Sequence, residues 1–98
     1  MKALLIGGTG IISMAITKKL IKDGHDLYLI NRGNRNTISS DYIHYIRGDI
    51  NDELLMMSLL KEHTFDVVAD FIAFEPKQLE RDYRLFRNKT KQFILISS

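Results

Sequence analysis

The sequence predicts an α/β fold built on a doubly wound parallel sheet, and three observations support that prediction. Short apolar runs, typical of strands buried on both faces, alternate with longer segments whose apolar residues recur at helical spacing. The first apolar run, Ala3–Ile6, ends directly in a glycine-rich turn. Strands that alternate with helices form parallel sheets, because each helix carries the chain back to the same edge. We therefore predict five strands in the order 3-2-1-4-5.

Five short segments have the composition of strands. Four of them are apolar runs, and the third alternates weakly between apolar and polar residues. A mostly polar stretch with glycine, residues 31–41, predicts a loop between the second and third strands. The predicted strands are Ala3–Ile6, Leu27–Ile30, Tyr42–Arg47, Asp66–Phe71 and Phe93–Ile96.

Three segments between these strands are predicted to be helices. The first follows the glycine turn and stops at Gly24, and the second, over Glu53–His63, can be capped by Asn51 or Asp52. The third, over 77–88, has a proline near its first turn. The residues predicted to face inward are, helix by helix, Ile12, Ala15, Ile16 and Leu20; Leu54, Leu55, Met57, Ser58 and Leu60; and Leu79, Tyr83, Leu85 and Phe86.

Length and composition restrict the class of protein. The 98 residues allow one domain, 1–98, and the formal net charge of +2 is too small to favour nucleic acid or an anionic membrane as a partner. The lack of cysteine excludes a disulfide scaffold, a thiolate nucleophile and a zinc site with cysteine ligands, and it fits a cytoplasmic location. Because His25, His44 and His63 lack metal-ligand spacing, we expect them to be structural or surface residues, and no metal.

The glycine turn has the spacing of a loop that binds phosphate. Gly7 permits a tight turn, and Gly10 lets a phosphate group approach the main chain where a Cβ atom would obstruct it. Amides that open the following helix then face the anion. Ser13 occupies the third position, where Gly or Ala is usual. The alternative is a glycine turn of another α/β class, such as a flavodoxin-like protein.

Two segments carry a resemblance to a known family. Residues Leu4–Ser13 resemble the opening of the NAD(P)-dependent epimerase/dehydratase family, the extended and atypical short-chain dehydrogenases/reductases. Residues Gly24–Asn34 are similar to the GH-x-V-x-x-x-NRG stretch of an atypical branch, with Leu27 in place of the valine. Further matching segments follow in the expected order, namely Arg47–Asp49, Phe65–Asp70 and Ile96–Ser98. The resemblance implies a Rossmann-like dinucleotide-binding domain, and we expect the chain to be an N-terminal fragment of a larger enzyme.

The residues after the second predicted strand bear on the choice of cofactor. NAD-preferring sites place an acidic residue there, whereas this chain has Asn31 followed by Arg32. The Arg32 guanidinium can pair with a 2′-phosphate, and Arg35 is a further cation nearby in the sequence. NADP is therefore favoured over NAD. The alternative is that Arg32 is a solvated loop residue.

The resemblance implies further dinucleotide contacts. Asp49 would bond the adenine amino group and Ile50 would line the adenine pocket, although Asp49 can equally cap the next turn. The residues after the fourth strand would border the adenine ribose and pyrophosphate, or else belong simply to the core. The predicted cofactor site comprises Gly7, Thr9, Gly10, Ile11, Ile12, Asn31, Arg32, Asp49, Ile50, Phe71, Ile72 and Ala73.

The catalytic pair of the family is missing from the sequence. The family uses Tyr-x-x-x-Lys as its acid/base pair, and no tyrosine here has a lysine four residues later. Ser97 or Ser98 matches the family's hydroxyl residue that polarises the substrate carbonyl. We therefore expect an NAD(P)-binding domain resembling a sugar-nucleotide epimerase, dehydratase or reductase, but not catalytic alone. The alternatives are a non-enzymatic dinucleotide-sensing or regulatory module and a folding remnant.

Coverage of the predicted sheet is expected to be incomplete. One helix covers one face and two helices cover the other, so apolar residues beside the fourth and fifth strands are left bare. Bare apolar surface of this kind favours association. We therefore expect a homodimer through this face or through the edge of the fifth strand, and a small-molecule substrate only in a full-length form.

Overall fold

The computed structural model describes residues 1–7, 11–31, 43–73 and 75–96, with backbone alone for 11–14 and 31. Strands and helices alternate in the described residues, except that no described helix lies between the second and third strands. The elements are β1 (Lys2–Ile6), α1 (Ile11–Lys22), β2 (Asp26–Asn31), β3 (Ile43–Arg47), α2 (Glu53–Leu60), β4 (Phe65–Asp70), α3 (Pro76–Phe86) and β5 (Thr90–Leu95).

The five strands form one parallel sheet in the order β3-β2-β1-β4-β5, which confirms the predicted fold class and strand order. In the centre, Ile6 of β1 is aligned with Ile30 of β2 and with Asp70 of β4. The carboxyl ends of the strands therefore meet at one edge of the sheet. In an open α/β sheet, ligands bind at this edge, where the strand order reverses.

Two separate apolar clusters cover the two faces of the sheet. On one face, α1 packs its half-buried Ile16, Leu20 and Ile21 against residues such as Leu5. On the other face, α2 and α3 contribute to a larger cluster, whose members from those helices are Met56, Leu60, Leu85 and Phe86. The sheet is thus covered on both sides, as the apolar strand sequences predict.

The inward faces of the first two helices differ from the prediction. In α1, Thr17 is fully buried while Ala15 is exposed. In α2, Met56 and Leu60 are buried, and of these two only Leu60 was predicted to face inward. The other residues predicted to face inward are exposed, namely Leu54, Leu55, Met57 and Ser58. Six of the eight residues of the α2 sequence ELLMMSLL are apolar, so periodicity alone does not select a face. This helix also ends at Leu60, three residues before the predicted end.

The third helix buries charge as well as apolar surface. Leu85 and Phe86 point inward as predicted, but Leu79 and Tyr83 are exposed, and Arg81 and Asp82 are buried in their place. The helix begins at Pro76, where the missing amide proton leaves no donor unsatisfied. Strand β5 begins three residues earlier than predicted and ends at Leu95.

Strand β5 is the least covered element of the sheet. It lies at one end of the strand order, and its apolar residues Phe93, Ile94 and Leu95 are each about 40% exposed. Their alignment with Val68, Ala69 and Asp70 places them alternately on the two faces. The predicted bare apolar surface at this strand is confirmed, but it extends over both faces rather than one. None of the helices in the described residues is both long and apolar enough to cross a membrane.

Candidate dinucleotide-binding site

The end of β1 has the geometry of a phosphate-binding turn. Gly7 follows β1 directly and has φ of +79°, a conformation that residues with a Cβ atom rarely adopt. A Cβ atom at this position would lie 2.5 Å from Cγ2 of Ile72, so the backbone approaches the turn after β4 closely. Helix α1 begins at Ile11, with its amino end at this same edge. Of the remaining residues of the predicted loop, Thr9 and Gly10 lie outside the described residues.

The end of β2 lies beside this turn. Asn31 is the last residue of β2 and pairs with Arg47 at the end of β3. Ile30, which precedes Asn31, is aligned with Ile6, which precedes Gly7. The predicted phosphate ligand Arg32 lies outside the described residues, as does Arg35.

The turn between β3 and α2 contains Asp49 and Ile50. A carboxylate oxygen of Asp49 accepts a hydrogen bond from the backbone N–H of Asn51 at 2.9 Å, so Asp49 does stabilise its own turn. Ile50 is only 5% exposed and packs in the apolar cluster beneath α2 and α3. Asp52 caps α2 by accepting from the backbone N–H of Leu55 at 3.2 Å, as predicted for Asn51 or Asp52.

The turn after β4 is fixed by hydrogen bonds on both sides. The backbone N–H of Phe71 donates to the carbonyl of Ile6 at 3.0 Å, which ties the turn to β1. The backbone N–H of Ile72 donates to Oδ1 of Asp70 at 2.8 Å. Ala73 is buried, Phe71 is half-buried, and Ile72 is 37% exposed against Gly7. All three predicted residues therefore lie at the carboxyl edge of the sheet, next to the glycine turn.

A buried charged cluster lies behind these turns, and sequence reasoning missed it. The Arg81 side chain is 5% exposed, and those of Asp70 and Asp82 are at most 1% exposed. Arg81 Nη2 lies 3.4 Å from Asp70 Oδ2 and 3.0 Å from Asp82 Oδ1, and its Nη1 donates to Oδ1 of Asn51 at 2.7 Å. The signal available in the sequence was Asp70, a single carboxylate at the end of an apolar run, because a buried charge requires a partner.

The cluster contains two carboxyl groups and one guanidinium, so its charges do not balance if both Asp70 and Asp82 are ionised. Oδ2 of Asp82 is buried with no hydrogen-bond partner among the described residues. Burial, followed by the neighbouring Asp70 carboxylate, raises the pKa of Asp82 to about 8, against the opposing effect of Arg81. One guanidinium thus faces two carboxyl groups, and a proton on Asp82 balances the charge at neutral pH.

At the amino ends of the strands, on the side of the sheet away from the candidate site, a lysine contacts a histidine. Lys2 Nζ donates to Nδ1 of His63 at 3.1 Å and lies over the rings of Tyr28 and Phe65. Burial and the adjacent Lys2 lower the pKa of His63. His63 therefore has a structural role here.

The predicted catalytic positions, Ser97 and Ser98, lie outside the described residues.

Comparison with known proteins agrees with this geometry. The sequence profile of the NAD dependent epimerase/dehydratase family matches residues 3–94. The chain belongs to this family. Among curated relatives, a UDP-glucose 4-epimerase of Lactobacillus helveticus is 28% identical over 96% of the chain and 30% of the relative. A chloroplast stem-loop binding protein of 41 kDa from Arabidopsis thaliana is 29% identical over 99% of the chain and 29% of the relative.

Solved structures show the same fold. The UDP-glucose 4-epimerase of Thermotoga maritima, solved with UDP-glucose, superposes with a TM-score of 0.70 at 20% identity, over 97% of this chain and 37% of that one. The Bordetella bronchiseptica enzyme WbmH, solved with NAD+, has a TM-score of 0.62 at 20% identity, over 76% of this chain and 26% of that one. The chain therefore has a Rossmann-like fold and spans about 30% of the length of the curated relatives that it matches.

Proposed function

We propose that this chain binds NADP(H) or NAD(H) across the carboxyl edge of its sheet, with NADP(H) preferred. The observation that carries the proposal is the turn at Gly7, whose left-handed backbone lies between β1 and the start of α1 and leaves no room for a side chain. Such a turn lets a diphosphate approach the main chain and reach the positive end of a helix. Membership in a family described as NAD dependent supports the same ligand.

The remaining predicted residues are assigned to parts of the dinucleotide. The loop positions Thr9, Gly10, Ile11 and Ile12 would hold the diphosphate together with Gly7. Asn31 and Arg32 would contact the adenosine ribose, Asp49 and Ile50 the adenine. Phe71, Ile72 and Ala73 would border the adenine ribose and the diphosphate. In support, Asn31 ends a strand, and Gly7, Asp49 and the turn after β4 follow strands, whose carboxyl ends share one edge of the sheet.

The cofactor preference is tested by substituting Arg32 with aspartate. A guanidinium that bonds the 2′-phosphate contributes about 1.5–3 kcal/mol, so Arg32→Asp should reduce the preference for NADPH over NADH at least about tenfold. Titration of the purified chain with each nucleotide, followed by nucleotide fluorescence, measures this ratio. Lys22→Asp is the matched control, because it makes the same charge change at the exposed carboxyl end of α1, away from the site.

Two results would contradict this proposal. Failure of the unsubstituted chain to bind either nucleotide would overturn dinucleotide binding. An NADPH preference that is equal in Arg32→Asp and Lys22→Asp would remove the phosphate role of Arg32 and leave binding itself intact.

We further propose that the domain serves an epimerase, dehydratase or reductase in the cytoplasm, with the rest of the catalytic and substrate-binding groups supplied by a longer protein. The family membership supports an enzyme of this class. The second candidate is a non-enzymatic dinucleotide-sensing module, in which the longer protein lacks the Tyr-x-x-x-Lys pair. The reading frame downstream of the Ser98 codon distinguishes them, since a Tyr-x-x-x-Lys within some tens of residues supports the enzyme.

We also propose that the isolated 98-residue chain forms a homodimer through β5. Three apolar side chains of this strand, Phe93, Ile94 and Leu95, are exposed. Phe93 also lines a groove of about 400 Å³ between α3 and β5, together with residues that include Tyr83 and Phe86. The strand is also an edge, and an edge with apolar side chains readily pairs with another copy.

The dimer is tested by light scattering across a concentration series. We expect a dimer at high concentration and a shift of at least about tenfold in the dissociation constant for Ile94→Lys, because a lysine on this edge opposes pairing. Tyr45→Lys is the control, since Tyr45 is 41% exposed on β3 at the opposite edge of the sheet. A monomer at all concentrations would exclude the dimer.

A further inference from the structure

The buried guanidinium of Arg81 joins three segments that are distant in the sequence. It donates to Asp82 on its own helix, to Asp70 at the end of β4, and to Asn51 in the turn that precedes α2. Its side chain is 5% exposed, so the bonds to Asp70 and Asp82 are shielded from solvent, whereas the bond to Asn51 is partly buried. A planar guanidinium with donors in a fixed fork can hold several acceptors in one relative geometry, which a lysine ammonium cannot.

Two of these acceptors, Asp70 and Asn51, belong to turns of the proposed dinucleotide site. Oδ1 of Asp70 accepts the backbone N–H of Ile72, while its Oδ2 faces Arg81, so the carboxylate bridges the guanidinium to the turn after β4. Asn51 places its side-chain oxygen on Arg81 and donates its backbone N–H to Asp49. The two turns that follow β3 and β4 are therefore connected through one side chain.

The same connection continues to the glycine turn. Ile72 lies against Gly7, whose missing side chain leaves space for it. A rotation of the Asp70 carboxylate would release the backbone N–H of Ile72 and allow the Ile72 side chain to move away from Gly7. Because a turn that is held in its binding geometry loses less conformational freedom when the ligand arrives, rigid turns raise affinity without new contacts.

We propose that Arg81 is a positioning residue, which fixes the turns after β3 and β4 relative to each other and thereby sets the affinity of the dinucleotide site. Its effect on nucleotide affinity depends on the proposed function, whereas its effect on the two turns does not. Arg81 acts through Asp70 and Asn51 and lies behind the turns that the nucleotide would contact.

The test compares Arg81→Lys with Asp82→Asn. Lysine keeps the charge but not the fork, so we expect faster hydrogen exchange at the amides of Ile72 and Asn51, and at least about tenfold weaker binding of NADPH and NADH. In Asp82→Asn, the uncharged amide keeps an oxygen that accepts hydrogen bonds from Arg81. Hydrogen exchange at Ile72 and Asn51 and the affinity for nucleotide should therefore both stay within about twofold of the unsubstituted chain.

Exchange at the amides of the central strands β1 and β2 separates positioning from general destabilisation. Positioning predicts that Ile72 and Asn51 exchange faster than in the unsubstituted chain while the central strands do not. A uniform increase at all amides, or unchanged exchange at Ile72 and Asn51, would overturn the proposal. If the unsubstituted chain binds no nucleotide, the proposed function and the effect on affinity both fail, and the exchange data still decide whether Arg81 couples the two turns.

Discussion

Replacement of Asp82 by asparagine is expected to make the protein less sensitive to alkaline pH. The pKa of Asp82 is raised from 3.8 to about 8 in the folded protein by burial and by Asp70. Between these values the folded state holds a proton that the unfolded state has released. Stability must therefore fall as pH rises, by about 1.4 kcal/mol per pH unit for this group. Asparagine carries no such proton and removes this slope.

Chemical denaturation between pH 4.5 and 7.5 measures the effect. Over these three pH units, the difference in unfolding free energy between Asp82→Asn and the unsubstituted chain should change by about 4 kcal/mol, in favour of the variant at the higher pH. Asp52→Asn is the matched control, because Asp52 is exposed and asparagine caps a helix as well as aspartate does.

Other groups in this pH range act in the opposite direction. The pKa of His63 is lowered by burial and by Lys2, so its contribution is lost as pH falls below the ordinary value of 6.5. Hydrogen bonds with Lys2 and Arg84 lower the pKa values of Asp66 and Glu53, so their contributions are lost at the acid end of this range and below it. Subtraction of the two curves cancels these contributions. A difference that does not change with pH would show that Asp82 is ionised in the folded protein.

Replacement of Gly7 by alanine is expected to destabilise the protein by roughly 2–5 kcal/mol. Alanine at a φ of +79° costs about 1–2 kcal/mol, because its Cβ atom crowds the following carbonyl oxygen. The new atom would also lie 2.5 Å from Ile72 Cγ2, and the displacement needed to relieve that overlap costs about 1–3 kcal/mol. Urea unfolding followed by circular dichroism measures the total.

Gly24 provides the control for the backbone contribution. Its φ of +80° matches that of Gly7, but a Cβ atom there would meet nothing within 4 Å. Gly24→Ala should therefore cost only about 1–2 kcal/mol. In the background of Ile72→Ala, the effect of Gly7→Ala should fall to the same range. Equal losses for Gly7→Ala and Gly24→Ala in the natural background would show that Ile72 does not restrict the turn.

Much of the fold follows from patterns that are local in the sequence. Apolar runs such as Ala3–Ile6 are too short for helices and too apolar for exposed strands, and the alternation with helices requires a parallel sheet. The glycine turn follows the first run directly, so its place at the carboxyl edge follows from the same pattern. Asp49 and Ile72 follow the third and fourth predicted strands, but their contacts with the dinucleotide are implied by the resemblance to the family and not by this pattern.

The helix faces were predicted less well, and the reasons differ between helices. In α2 nearly every residue is apolar, and the choice of Met56 over Met57 depends on where the helix axis lies above the sheet. In α3 the pattern is strongly amphipathic, yet Tyr83 is 65% exposed while Arg81 is buried. The apolar character of tyrosine suggested burial, but the partners of Arg81 made its burial possible instead.

The sequence by itself determined the strand segments and the turn at Gly7, because each depends on residues that are neighbours in the chain. The family followed from short motifs such as Leu4–Ser13, and the strand order from the general rules for crossovers between parallel strands. Only the tertiary structure revealed the cluster of Arg81, Asp70, Asp82 and Asn51 and the approach of Ile72 to Gly7. Those contacts join residues separated by 1 to 65 positions, and most of them exist only once the sheet register and the packing of α3 bring distant segments together. Burial then changes their chemistry, since a carboxyl group excluded from water holds a proton that it would release in an unfolded chain.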